Sequence, residues 1–128
     1  MKYLLDTNIV IYFLGGFALN SNALERIDDI CKKGQNISII SKLELLGFNF
    51  TSASNEKETK EFVSRSLIYS INSEIETETI RIRKSVKIKL ADAIIAATST
   101  INNFTLLTRN VNDFNYIDNL KIENPFEW

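Results

Sequence analysis

The chain has 128 residues, 45% of them hydrophobic and 24% charged, with a formal net charge of -1 at pH 7. This length and composition are typical of a globular protein, so we expect a single domain over residues 1–128 and neither a disordered nor a membrane protein. The near-neutral charge predicts no strong overall attraction to nucleic acid. The apolar runs fall far short of the roughly 20 residues that span a bilayer, and the first residues resemble a strand rather than a signal peptide. We therefore expect a cytoplasmic location.

Several enzyme classes are excluded by the residue types that the chain lacks. It has no histidine and a single cysteine, Cys31, which excludes Ser-His-Asp and Cys-His hydrolysis, intrachain disulfides and histidine- or thiolate-based zinc sites. Its four glycines form neither of the common nucleotide-binding patterns, G-x-G-x-x-G and G-x-x-x-x-G-K-[ST]. Any catalysis must rest on carboxylates, amides, hydroxyls or lysine.

Apolar spacing, polar caps and glycine stops predict strands that alternate with helices along the chain. The predicted strands are 2–5, 36–40 and 104–108, with an edge strand at 120–124. The predicted helices are 9–14, 20–34, 41–50, 72–86 and 90–103. A further predicted helix begins in the solvated segment 51–62 and runs to Leu67. Residues 109–114 are predicted to form a loop or a short helix. Such alternation indicates parallel strands with helices on both faces, which is an α/β sandwich.

Acidic and amide side chains follow the predicted strands or begin the predicted helices. Asp6 comes directly after the first strand and would cap the next helix. Residues 41–44 spell the S-x-x-E pattern of a capping box after the second strand. Asp92 lies in the first turn of its helix, where the helix dipole favours an anion, and Asn110 and Asp113 follow the third strand with similar spacing. Taken one at a time, each has an ordinary structural explanation.

Taken together, the same positions predict a shared site, because helix N-termini that follow parallel strands lie along one edge of the sheet. Two carboxylates about 4 Å apart repel by about 1 kcal/mol in water and by about 4 kcal/mol at an effective dielectric constant of 20. Lys87 and Lys89 precede Asp92, yet Mg²⁺ or Mn²⁺ suits three carboxylates, Asp6, Glu44 and Asp92, better than lysine does. Such a site suggests metal-assisted hydrolysis of a phosphodiester.

Four motifs occur in order along the chain: YLLDTNIVI at the start, SKLELLGF after the second strand, and KLADAIIAAT and LLTRNVNDF near the end. Together they resemble a PIN-domain ribonuclease of the VapC toxin type over about residues 1–118, with 51–80 matching only in helical character. The resemblance implies a compact α/β/α sandwich with a short, mostly parallel central sheet. It also implies an endoribonuclease that depends on Mg²⁺ or Mn²⁺, is held inactive by a cognate antitoxin protein and forms a homodimer.

The resemblance assigns roles to individual residues of this chain. Asp6, Glu44 and Asp92 fall on the three acidic metal-binding positions. The fourth position falls on Asn110, with Asp113 as a second candidate one helical turn later. An amide at this position supplies one neutral oxygen, so the number of bound metal ions, one or two, is open.

Five further residues are candidates for orienting the site or binding the substrate. Thr7 and Asn8 match a polar pair that orients the first acid and a water molecule. Lys87 and Lys89 belong to a basic run that is either a solvated surface balanced by the acids of its helix or a grip on RNA phosphates. Arg109 is an additional candidate for binding phosphate.

Three other interpretations compete with a nuclease. A haloacid-dehalogenase-type phosphatase would need a second aspartate two residues after Asp6, where the chain has Asn8. A phospho-receiver domain would need an acidic pair before its aspartate, which is absent. The third alternative is a catalytically weak binding module of the same fold, for RNA or protein. The sequence names neither the RNA that is cut nor the antitoxin.

Overall fold

Five short parallel strands form the central sheet of the computed structural model, which describes residues 2–16 and 18–128. Within these residues the strands are β1 (Tyr3–Leu5), β2 (Asn36–Ser38), β3 (Leu67–Tyr69), β4 (Thr105–Leu107) and β5 (Lys121–Glu123). Their order across the sheet is β3-β2-β1-β4-β5, and all neighbouring pairs are parallel. The sheet is parallel throughout rather than mostly parallel, because at least one helix connects each strand to the next.

Helices cover both faces of this sheet. In the described residues they are α1 (Thr7–Gly15), α2 (Ser21–Lys33), α3 (Ile39–Leu46), α4 (Ala53–Arg65), α5 (Ser73–Ser85), α6 (Leu90–Ile101) and α7 (Val111–Phe114), and a 3-10 turn, Pro125–Glu127, follows β5. The predicted α/β/α sandwich is thereby confirmed. None of these helices combines the length and the apolar character needed to cross a membrane.

Each face of the sheet has its own apolar core. Because side chains alternate along a strand, Leu4 and Leu106 pack with α5 and α6, whereas Leu5 and Leu107 pack with α1, α2 and α4. All four side chains are at most 1% exposed. Ala93, Ala96 and Ala97 of α6 are buried in the first of these cores, so this helix lies close against the sheet.

The strand order reverses between β1 and β4, and this reversal positions the candidate site. In open α/β sheets, ligands bind beyond the carboxyl ends of the strands at such a reversal. The register pairs Leu5 with Leu107, and the Asp6 N–H donates to the Leu107 carbonyl at 3.0 Å. Asp6 and Thr108 are consequently neighbours immediately beyond the two central strands.

The start of α3 differs from the prediction. The helix begins at Ile39, and its N-cap is Ser38, whose hydroxyl accepts the Ile40 N–H at 3.1 Å. Strand β2 therefore ends at Ser38, before the predicted end of the second strand. Ser41 and Glu44 lie inside the helix, so the capping-box interpretation is wrong. The sequence offers two serines three residues apart, and the earlier one caps the helix.

The end of α4 also differs from the prediction. The helix was expected to run to Leu67, but it ends at Arg65, and residues 67–69 form the edge strand β3. Gln35 stabilises this arrangement: its carbonyl accepts the Leu67 N–H at 2.8 Å, and its side-chain amide donates to the Ser66 hydroxyl at 2.8 Å. The pairing partner lies about thirty residues away along the chain, so local spacing did not reveal the strand. The opposite edge strand, expected at 120–124, is confirmed as β5.

Candidate functional site

Asp6 is a buried carboxylate at the carboxyl end of β1. It is only 5% exposed and is the N-cap of α1. Its Oδ1 accepts the Thr7 N–H at 2.9 Å, and its Oδ2 accepts the Thr108 hydroxyl at 2.8 Å. Burial raises the pKa of Asp6 to about 6; the two hydrogen bonds oppose this shift, and the charges of Asp92 and Glu44 add to it. The predicted cap is confirmed, and this carboxylate is also held from two sides.

Thr108 is a residue of this site that the sequence analysis did not single out. Its side chain is fully buried, and its hydroxyl accepts the Asn110 N–H at 3.0 Å while donating to Asp6. Thr108 thus links the loop after β4 to the carboxylate after β1. The signal available in the sequence was its position, because it is the first polar residue after the apolar core of β4, as Asp6 is after β1.

Thr7 positions Glu44. The Thr7 hydroxyl is buried and lies 2.7 Å from Glu44 Oε1 and 2.9 Å from the Ser41 hydroxyl. A hydroxyl has one proton, which goes to the charged acceptor, so Ser41 is left to donate to Thr7. Thr7 was predicted to orient Asp6, and it does so through its backbone N–H, whereas its side chain orients Glu44. Asn8 is exposed on α1 and hydrogen-bonds to neither carboxylate.

Asp92 lies half-buried in the first turn of α6, as predicted. Burial raises its pKa, the charges of Asp113 and Glu44 raise it further, and Lys89 lowers it. We call Asp6, Glu44, Asp92 and Asp113 the acidic cluster, since the charges of Asp92 and Glu44 act on Asp6 and those of Glu44 and Asp113 act on Asp92.

The loop after β4 contributes both candidates for the fourth position. Asp113 lies in the first turn of α7, is exposed and adds negative charge beside Asp92. Asn110 is the N-cap residue of α7, but its side chain does not cap that helix, and its backbone N–H binds Thr108 instead. The charge of Asp113 thus acts on the site directly, whereas Asn110 is tied to the site through its backbone.

The donor set of the acidic cluster matches the oxygen ligands that Mg²⁺ and Mn²⁺ prefer. Asp92 and Glu44 raise the pKa of Asp6, Asp113 and Glu44 raise the pKa of Asp92, and a cation would relieve this repulsion. In the described part of the chain, no three aspartate, glutamate, cysteine or histidine side chains converge closely enough to hold an ion as they stand. The chemistry of the residues thus fits a divalent cation, whereas their side-chain positions do not enclose one.

The basic candidates lie in different surroundings. Lys89 is the N-cap residue of α6 and lowers the pKa of Asp92, so it lies beside the acidic cluster, and Lys87 is exposed in the segment just before it. The basic run that contains these lysines spans residues 81–89, and its Arg81 pairs with Glu78 at 2.7 Å, which confirms part of the expected charge balance. Arg109 is exposed, and its guanidinium contacts aromatic rings rather than the acidic cluster.

An apolar groove of about 240 Å³ lies next to Glu44, between α1, α3 and α4. Its apolar lining is Ile11, Leu14, Leu45, Phe48 and Phe50, and Glu58 lies at its border. Phe48 is 64% exposed and its ring packs edge-on against that of Phe50. Leu43 and Leu46 of α3 are also largely exposed. This surface therefore combines exposed apolar side chains with two carboxylates.

The family model of the PIN domain matches residues 3–120 of the chain. The chain belongs to the PIN-domain family. PIN domains are in general nucleases that use divalent metal ions. No curated protein sequence gives a significant match.

Solved structures similar to this PIN domain include several VapBC and other toxin–antitoxin proteins. VapBC2 from Rickettsia felis, solved with a DNA fragment from its promoter, has a TM-score of 0.80 and 26% identity, covering 97% of this chain and 98% of that one. A toxin–antitoxin complex from Klebsiella pneumoniae has a TM-score of 0.74 and 28% identity, with 97% and 98% covered. VapBC-1 from nontypeable Haemophilus influenzae has a TM-score of 0.79 and 25% identity, with 98% of each chain covered.

Replacing Asp6 with asparagine should stabilise this PIN domain at neutral pH in the presence of EDTA. The folded-state pKa of Asp6, about 6, lies above its ordinary value of 3.8, so ionisation of Asp6 removes stability as the pH rises between these values. Asparagine preserves the cap but carries no charge, so we expect a gain of about 1–3 kcal/mol at pH 7 in urea unfolding. The gain should shrink as the pH falls from about 6 to about 4.

The matched control is Asp118→Asn, which changes an exposed aspartate outside the acidic cluster. It should shift stability by no more than about 0.5 kcal/mol at either pH. An Asp6→Asn protein that is less stable than the wild type at pH 7 in EDTA would contradict the account of Asp6 as a carboxylate held at an energetic cost.

Proposed function

We propose that this protein is an Mg²⁺- or Mn²⁺-dependent endoribonuclease and the toxin of a type II toxin–antitoxin pair. The observation that carries the proposal is the acidic cluster at the reversal of strand order in a PIN domain. The likeness to VapBC proteins at 25–26% identity supports the VapC-like assignment. Such a toxin would meet its RNA and its antitoxin in the cytoplasm.

Asp6, Glu44 and Asp92 would hold the metal ion, with Asp113 or Asn110 completing the site. The bound ion would supply positive charge against the phosphate and lower the pKa of water. The residues of the chain prepare this site. Thr108 and the Thr7 backbone fix Asp6, and the Thr7 hydroxyl fixes Glu44.

Three acids of the site have distinct tasks in this proposal. Asp6, with a pKa of about 6, is largely ionised at neutral pH and so is ready to bind a cation. Glu44 is exposed, and its carboxylate keeps one oxygen clear of the Thr7 bond. Asp92 interacts electrostatically with Glu44 of α3 and with Asp113 of α7, because the charges of both act on it. Exposed Asn8 is available to orient the attacking water.

Lys87 and Lys89 would contact backbone phosphates of the RNA next to the metal site. Lys89 lies beside Asp92, and both lysines belong to the exposed segment that leads into α6. Phosphate contacts position a nucleic acid without reading its sequence. Changing both lysines to glutamate should weaken RNA binding and flatten its dependence on salt concentration, with a change in slope of about 0.7 per lost contact. An unchanged salt slope would remove both lysines from the RNA-binding surface.

The apolar groove beside Glu44 would receive the antitoxin. Its apolar floor suits one face of an amphipathic helix, and the carboxylates of Glu44 and Glu58 suit basic side chains on that helix. A polyanion such as RNA fits this acidic, apolar surface less well. Replacing exposed Phe48 with serine should weaken the toxin–antitoxin complex, measured by co-purification, without lowering RNA cleavage by the free chain. We also propose that the protein forms a homodimer, on the basis of its resemblance to VapC-type toxins.

Cleavage of total bacterial RNA by the free protein tests the proposed function. We expect discrete fragments with Mg²⁺ or Mn²⁺, none with EDTA, and none from a folded Asp92→Asn variant. Asp118→Asn is the matched control and should cut as the wild type does. Cleavage that persists in EDTA or in Asp92→Asn would contradict the proposal. Intact RNA under every condition, from folded and partner-free protein, would favour the catalytically weak binding module instead.

A further inference from the structure

Arg109 carries a guanidinium that is fixed by aromatic side chains at the surface. Its Nη1 donates to the Tyr12 hydroxyl at 2.9 Å. Its guanidinium carbon lies 4.2 Å from the centre of the Phe126 ring and 5.3 Å from that of the Tyr12 ring. The two rings meet edge-on with their centres 5.0 Å apart. Both ring contacts are within the range of cation–π attraction.

The positive charge of Arg109 has no carboxylate partner. Arg26 pairs with Glu123 and Arg81 with Glu78, whereas no carboxylate among residues 2–16 and 18–128 lies within 4.0 Å of Arg109. Arginine has five N–H donors, and the bond to Tyr12 uses one of them. The side chain is held in place while most of its donors and its whole charge stay available.

The backbone of Arg109 lies at the border of the acidic cluster. Its backbone lies between Thr108, which binds Asp6, and Asn110 at the start of α7. Tyr12 belongs to α1, the helix that Asp6 caps. Ile11 of that helix lines the apolar groove, whereas Tyr12 contacts Arg109 and Phe126. Neither Tyr12 nor Arg109 lines the apolar groove, so Arg109 is separate from the proposed antitoxin surface.

Phe126 is itself anchored, so it gives Arg109 a fixed support. The Trp128 carbonyl accepts the side-chain amide of Asn20 at 2.8 Å, and Arg26 stacks 3.7 Å above the Trp128 ring. The Phe126 N–H donates to the Asn124 side chain at 3.0 Å. These contacts tie the C-terminal turn to α2 on one side and to Arg109 on the other.

We propose that Arg109 binds a backbone phosphate of single-stranded RNA beside the acidic cluster, with Phe126 and Tyr12 as positioning residues that hold its guanidinium. This inference rests on the proposed function and names part of its substrate-binding surface. The planar fork of arginine matches two oxygens of a phosphate. A guanidinium that is already ordered loses less conformational freedom when it binds. The 3-10 turn Pro125–Glu127, which contributes no acid to the cluster, thereby contributes to RNA binding.

The test measures the binding of a fluorescein-labelled, single-stranded RNA of mixed sequence by the full chain at several salt concentrations. All proteins carry Asp92→Asn so that the RNA stays intact. Arg109→Gln should weaken binding and reduce the slope of log affinity against log salt by about 0.7, the value for one phosphate contact. Arg109→Lys should keep the slope but lose affinity. The control Arg81→Gln changes an arginine already paired with Glu78 and should leave the slope unchanged.

Phe126 is tested by its dependence on Arg109. Phe126→Leu should weaken binding about two- to fivefold, whereas Phe126→Tyr, which keeps an aromatic face, should bind as the parent does. In the Arg109→Gln background, Phe126→Leu should have no further effect, because the group it positions is gone. Melting curves establish that each variant is folded.

The outcomes separate this inference from the proposed function. An unchanged salt slope in Arg109→Gln, from a parent that binds RNA and a wild type that cleaves it, would overturn the role of Arg109 alone. Equal losses from Phe126→Leu with and without Arg109 would overturn the positioning role of Phe126. No RNA binding by the parent and no cleavage by the wild type would overturn both the inference and the proposed function.

Discussion

The hydrogen bond from the Thr108 hydroxyl to the Asp6 carboxylate joins the two halves of the sheet where its strand order reverses. It exists because Leu5 and Leu107 are paired in register, so the next residue of each strand enters the same space. The Thr7 N–H donates the second hydrogen bond to Asp6, and the Thr7 hydroxyl binds Glu44, which connects the two acids. A shift of register between β1 and β4 would separate these groups, so the site depends on the pairing of two three-residue strands.

The buried position of Asp6 makes its negative charge unfavourable, which is not the case for an exposed capping aspartate. Burial disfavours the charge on Asp6, and neighbouring acids disfavour it further, so its pKa rises despite two hydrogen bonds. Asp92 shows the same direction for the same reasons. A fold selected only for stability would replace such a carboxylate with a neutral residue, and destabilising groups of this kind are typical of functional sites. The acidic cluster is therefore better explained by binding than by helix capping.

The sequence predicted the acids better than it predicted their surroundings. Asp6 and Asp92 followed from the rule that helices after parallel strands begin at one edge, and both lie where expected. Glu44 was also predicted as a metal-binding acid, but its predicted capping box does not exist, because Ser38 caps α3 and Thr7 binds the carboxylate. Strand β3 and the contacts of Arg109 depend on partners remote in sequence, such as Gln35 and Phe126, which local spacing does not encode.

Calorimetric titration of Mn²⁺ into the protein most directly tests the central claim that the acidic cluster binds a divalent cation. The account predicts saturable binding to the wild type, its loss in Asp6→Asn, and weaker binding in Thr108→Val, which leaves Asp6 without its hydroxyl donor. Asp118→Asn should bind as the wild type does. Absence of binding to the wild type, or equal binding to folded Asp6→Asn, would contradict the account.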